Sequence, residues 1–363
     1  MGVPRALFPR RMGGQLVLRF RRQGMTLLKV RHKTTYRYAR PVELGEHRMM
    51  FRPRASHDLN LKKAKLVIRP EPVSIRWVHD VFDNSVAFAH FGGLAVKELS
   101  FDSTLTVDHT PYSSPVPEID EAARTYPFLY DREDEPDLRP SIALQYPDEG
   151  GRLKKWARQF LHPGRPTSDT FSLLATMTTA VREQFRYLRR EEMGVQHPIE
   201  TLLLGSGSCR DFAVLMMEAT RTLGFAARFV SGYLYVPSQG DERPVGGGAT
   251  HAWVQVYLPG AGWVEFDPTN AIVGNRNLIR IAAARHPRQA IPLSGTYEGS
   301  REDFIGMTVE VAVTGETPAA ATERVGEHGH SDRLRPDDRG SARDGDAANA
   351  QRPSLARARP SFA

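Results

Sequence analysis

The 363-residue chain is 40% apolar and 25% charged, ordinary globular values, and it is long enough for two domains with separate cores. A net charge of +7 comes from basic residues spread along the chain and gathered at its ends, with no zinc-finger spacing, RNP-like motif or P-loop beside them, so a nucleic-acid partner is not expected. No run approaches the ~20 apolar residues of a membrane helix, and a lone cysteine makes no internal disulfide, which together point to a soluble protein of a reducing, cytoplasmic compartment without a membrane partner.

Residues 1–24 are arginine-rich and lack the apolar stretch of a signal peptide, so they read as a disordered basic extension. From Leu28 to Tyr38 the apolar and aromatic residues Leu28, Val30, Tyr36 and Tyr38 alternate with Lys29, Arg31, Lys33 and Arg37. That period of two marks a strand with one wet face. The alternation returns at Leu99, Phe101, Leu105 and Val107, with shorter runs at 65–69, 75–78 and 86–91. Residues 25–110 are therefore predicted to form an antiparallel β-sandwich domain. Prolines and acids without periodicity make 111–150 a linker or wrapping segment.

The second domain, 151–313, is predicted to be α+β, with helices first and a largely antiparallel sheet after them. A short helix covers 151–162, and a longer one capped by Asp169 or Thr170 carries Phe171, Leu174, Met177, Val181 and Phe185 at helical spacing. A third runs from Cys209 to Gly224, apolar on more than one face and so internal. Strands follow at 226–236, 251–258 and 262–267, and Met307, Val309, Val311 and Val313 form a last alternating run. Residues 314–363 hold too few large apolar side chains for a core and read as a disordered tail.

Cys209 stands where the loop Gly205-Ser206-Gly207-Ser208 meets the internal helix. A free thiol, with a pKa near ~8.5, is mostly protonated at neutral pH, so a thiol nucleophile needs a helix N-terminus or an imidazole beside it. His251 opens a later strand and Asp267 ends the next, across Leu258-Pro259-Gly260-Ala261. A turn centred on Pro259 sets the two directly opposite, and a turn centred one residue later makes them diagonal neighbours on one face. Either register allows the carboxylate to orient the imidazole. Trp253 and Trp263 share that face and are expected to pack rather than touch substrate. Arg210 is expected in a salt bridge, Asp211 in the helix's first turn, and the Gly-rich 236–249 loop as a mobile rim able to gate the cleft.

Each residue alone has a plainer reading: a buried inert thiol, a strand-end histidine, a turn aspartate. A zinc site from Cys209, His251, Asp267 and His197 is a rival of another class, weakened by the lack of a close-spaced ligand pair, so no cofactor or metal is assigned. A non-catalytic protein-binding module on the same fold is a third reading.

Gly-Ser-Cys-Arg-Asp-Phe-Ala at 207–213, Arg-Phe-Val-Ser-Gly-Tyr at 228–233, His-Ala-Trp-Val at 251–254 and Trp-Val-Glu-Phe-Asp-Pro-Thr at 263–269 resemble the transglutaminase-like core. The similarity extends through 185–204, and 25–110 is similar to the β domain that precedes this core in bacterial members. The resemblance implies a papain-like fold, with Cys209 as nucleophile, His251 as general base and acid, and Asp267 holding His251 in orientation. It implies acyl transfer from glutamine-type or peptide amides of a protein or peptide substrate, through a Cys thioester resolved by an amine. Hydrolysis, as by a cysteine peptidase or amidase, is the alternative. Gln184 and Tyr187 are the candidates for a second oxyanion donor.

Overall fold

The computed structural model describes residues 26–111, 116–162, 164, 166–190, 192–236 and 248–316. The expected basic extension, the tail from residue 317 and most of the Gly-rich rim, 237–247, lie outside the described residues.

Five antiparallel strands open the chain: β1 (Thr26–Arg52), β2 (Leu59–Arg69), β3 (Ser74–His79), β4 (Ser85–His90) and β5 (Ala95–His109). β1 is long enough to serve two layers. Its first half pairs with β5, which pairs with β2, and its second half pairs with β4, which pairs with β3. Register breaks after Arg37, Leu44 and Met49 bend it between the two. The layers meet over a core of Met49, Phe51, Ala87, Ala89 and Phe91 from one side and Ile68, Leu99 and Phe101 from the other. The predicted sandwich is thus one continuous hydrogen-bonded sheet folded on itself.

The segment predicted to wrap does so in part. It carries β6 (Thr125–Tyr126) and α1 (Glu135–Ile142), and it buries Ile119 and Ala123 in the core of the second half. Glu218 and Arg221, a fully buried ion pair with Nη1 to Oε1 of 2.5 Å, hold its end: the carboxylate accepts from the N–H groups of Gln145 and Tyr146.

The second half is built on α2 (Arg152–Arg158), α3 (Thr170–Gln184), α4 (Pro198–Leu204) and α5 (Cys209–Thr222). Asp169 caps α3 as predicted, accepting from Ser172 N–H at 2.7 Å, and with Ser168 forms β7 (Ser168–Asp169), which pairs with β6. α5 is buried over most of its length between the other helices and a five-stranded antiparallel sheet. That sheet contains β10 (Ala227–Leu234), β11 (His251–Leu258), β12 (Gly262–Asp267), β13 (Ile272–Val273) and β14 (Leu278–Ala284), in the order β13-β12-β11-β10-β14. Ala252, Val254, Val256, Leu258, Val264 and Phe266 point from one face into the core that holds α5. The odd-numbered residues face the other way. On either side of α4 in the chain, the two-residue strands β8 (Arg186–Tyr187) and β9 (Ser206–Gly207) pair in parallel.

The run at 307–313, read as the last strand of the second unit, lies in β16 (Phe304–Glu316), which pairs with the first half of β1 and continues past Val313. β15 (Leu293–Glu298) likewise joins the second half of β1. The chain therefore returns to its first sheet after building the second. Alternation reports a wet and a dry face but not which sheet supplies the hydrogen bonds.

Candidate active site

Ser208, extended at φ −87° and ψ 175°, is the N-cap of α5, so Cys209 is the first helical residue. The first helical hydrogen bond runs from Phe212 N–H to Ser208 O at 3.0 Å, which leaves the N–H of Cys209 among the unclaimed donors of the helix start. The thiol is buried except for 7% of its residue surface.

The loop before it is held by one carboxylate. Asp211 Oδ2 accepts from the N–H and hydroxyl of Ser208 at 2.8 and 2.7 Å, while Oδ1 accepts from Gln196 N–H at 2.7 Å and Arg190 Nη1 at 2.8 Å. Gly207 lies so close that a Cβ there would sit 2.8 Å from Asp211 Cβ and 3.0 Å from Gln196 Oε1. Only glycine fits. Asp211→Ala is expected to cost about 3–5 kcal/mol of stability, because it removes the buried carboxylate from Arg190 and leaves the Ser208 and Gln196 donors without it; a denaturant midpoint unchanged from wild type would contradict this.

His251 and Asp267 are brought together. The hairpin pairs Val254 with Phe266 and Leu258 with Gly262, so it is centred on Gly260, at φ +84°, rather than on Pro259. The diagonal register is the one adopted, and continuing it sets Trp253 opposite Asp267 with His251 one pair further on the same face. Long side chains close the gap: His251 Nε2 lies 2.8 Å from Asp267 Oδ2, with both side chains fully buried. Burial lowers the imidazole pKa, but the charge and hydrogen bond of Asp267, joined by Cys209, outweigh it and raise the value to about 10. Nδ1 is buried without a hydrogen bond among the described residues, and the Cys209 sulfur is near enough to help keep the ring protonated.

Sequence reasoning missed the groups that orient the aspartate. Asn270 Nδ2 donates to Asp267 Oδ2 at 2.8 Å, and Thr269 N–H donates to Oδ1 at 2.9 Å. The second contact is an Asx turn, for which Asp-Pro-Thr-Asn was an available signal.

Trp253 is fully buried and stacks on the His251 ring with centroids 6.0 Å apart; Trp263 lies under the Arg228 guanidinium, 4.1 Å from its centroid. Both pack on the predicted face. Arg210, expected in a salt bridge, donates instead to the carbonyls of Arg190 and Glu192, and it is Arg190 that pairs with Asp211. Of the two oxyanion candidates, Tyr187 pairs with Gly207 across β8 and β9, and burial followed by the nearness of Cys209 raises its pKa. Gln184 is exposed at the end of α3. His197, the fourth residue of the zinc reading, accepts from Ile199 N–H and packs against Tyr146. Among the described residues no three His, Cys, Asp or Glu side chains are grouped to hold a metal ion.

A thiol at a helix start beside a buried imidazole–carboxylate pair, on helices packed against an antiparallel sheet, defines the papain-like class of fold. Residues 28–108 match the bacterial transglutaminase-like N-terminal region and residues 154–268 match the transglutaminase-like superfamily core, in that order. The chain thus carries a region similar to the bacterial transglutaminase-like N-terminal region ahead of one similar to the transglutaminase-like core. It is 29% identical to an uncharacterized protein of Mycobacterium tuberculosis over 297 residues, which cover 78% of this chain and 91% of the relative. A shorter match, 34% over 73 residues, links it to the uncharacterized protein YebA of Bacillus subtilis, across 17% of this chain and 9% of the relative. Among solved structures, a candidate cysteine protease from Cytophaga hutchinsonii superposes with a TM-score of 0.59 at 21% identity, over 80% of this chain and 91% of that one. That likeness is one of fold.

Proposed function

We propose that the protein is a thiol enzyme that transfers acyl groups from glutamine-type or peptide amides of protein substrates, with Cys209 as nucleophile, His251 as base and acid, and Asp267 as orienter. The observation that carries this is the His251 ring, fixed by Asp267 at 2.8 Å through Nε2 with Cys209 acting on it. Sγ attacks the amide carbonyl, and the oxyanion is received by the N–H of Cys209 and the Tyr187 hydroxyl. Collapse breaks the C–N bond, the imidazolium protonates the departing amine or ammonia, and a thioester remains on Sγ. An incoming amine, or water, attacks that thioester while His251 takes its proton. Exposed Leu188 and Met193, on the loop tied to Asp211 through Arg190 and Gln196, supply an apolar rim suited to a peptide.

Incubation with p-nitrophenyl acetate is expected to leave one acetyl group on Cys209, found by mass spectrometry and lost on adding hydroxylamine. Faster loss with a primary amine than with water supports transamidation, and equal loss supports hydrolysis. No adduct on Cys209 would overturn the thiol mechanism.

A further inference from the structure

The face of the sheet that carries His251 and Asp267 is crossed by ionic contacts that reach into the first sheet. Arg280 on β14 places Nη1 2.7 Å from Glu265 Oε1, and its Nη2 lies 3.4 Å from Asp58 Oδ1 and 3.3 Å from Ser56 Oγ. Glu265 sits on β12 two residues before Asp267, and Asp58 sits in the turn between β1 and β2. Gln255 donates to Glu265 at 2.7 Å and Arg228 to Gln255 at 2.8 Å, while Asn275 donates to Asp58 at 2.8 Å. Asp58, Gln255, Glu265 and Asn275 are all buried.

An apolar seam already joins the same two sheets. Leu28, Val30, Leu59, Leu105 and Val107 of the first pack on Tyr233, Ile279 and Ile281 of the second. Burying charges beside such a seam is expensive, and a hydrocarbon replacement is often neutral or better for stability. The ionic contacts therefore add something other than adhesion. A planar guanidinium that meets carboxylates from two separate elements fixes the distance and angle between them, which an apolar contact does not.

We infer that Arg280 is a positioning residue through which the first sheet sets the strand of Asp267, so that the thiol site reaches its working geometry only with that sheet docked. The inference rests on the reading of Cys209, His251 and Asp267 given above, and it assigns the N-terminal region a role in the chemistry.

Cys209 is the only thiol, so alkylation by iodoacetamide reports on it without background. Rates at pH 6 and pH 9 are compared for the full chain and for its Arg280→Met, Arg280→Lys, Asp58→Asn and His251→Ala variants, each checked as folded by circular dichroism. Arg280→Met and Asp58→Asn are expected to lose about ten-fold at pH 6, where the thiolate needs a well-placed imidazolium, and less than about two-fold at pH 9. Arg280→Lys recovers part of the loss. A purely structural role would lower the melting temperature and leave the ratio of the two rates unchanged, which would overturn the inference. Should Arg280→Met fail to fold, the isosteric Asp58→Asn carries the test. If His251→Ala changes the ratio and the Arg280 and Asp58 variants do not, positioning alone is refuted; if His251→Ala also leaves it unchanged, the underlying mechanism falls too.

Discussion

His251→Ala is expected to slow acetylation of Cys209 by p-nitrophenyl acetate about 10³-fold at pH 7, measured as the single-turnover release of p-nitrophenol. Two contributions disappear at once. In the proposed mechanism the ring takes the thiol proton, and as imidazolium it offsets the charge on sulfur in a site from which water is largely excluded. Neither is replaced by a neighbour: the raised pKa of Tyr187 keeps it from acting as a base at pH 7, and Asp267 is a carboxylate held at Nε2 of the ring. The fold should persist, because the sheet register rests on backbone pairing and Trp253 stays packed among Val230, Leu234 and Leu278 when its stacking on the ring is lost. A loss under about ten-fold in a folded variant would remove His251 from the proton path.

Asp267→Asn should cost about 10³–10⁴-fold in the same assay, through the ring rather than through the thiol. The amide keeps the size of the carboxylate but gives up the charge that holds the imidazole protonated. Stability should show the same loss. The pKa of His251 is raised to about 10 from 6.5, so the stabilisation from the imidazolium–carboxylate pair is fully present below the ordinary value and fades as pH rises toward 10. Denaturant midpoints of the wild type should fall between about pH 6.5 and 10 relative to those of Asp267→Asn, whose profile lacks this component. Parallel profiles would mean that the pair is not charged in the folded protein.

Much of this site was legible because its parts are local. A glycine- and serine-bearing loop running into an apolar helix placed Cys209 at a helix start, and the turn at 258–261 confined His251 and Asp267 to one face in either register. The register itself turned on Gly260, whose positive φ centres the hairpin one residue beyond Pro259. What stayed hidden depends on contacts distant in sequence. Nothing local in Met307–Val313 reveals that its partner is β1, about three quarters of the chain length away. That Arg190 is a partner of Asp211 likewise depends on a contact 21 residues apart in sequence. α4 was missed for a different reason: seven residues opened by Pro198 and ended by Gly205 are too short to show a helical period.

The folded β1 and the returning strands give the site its physical setting. β15 and β16 leave the second sheet and join the first, so the chain ties the sheets together at both ends of the site-bearing region. Isolating residues 151–313 would remove β16's pairing partner and the Asp58–Arg280 contact together.

The most direct test of the central claim is the pH dependence of iodoacetamide alkylation at Cys209 in the wild type and in His251→Ala. The wild type should react at a nearly level rate from about pH 6 to 9, and the variant should rise steeply with a midpoint near about 8.5, as a free thiol does. Superposable curves for the two proteins would contradict a thiol activated by its neighbouring imidazole.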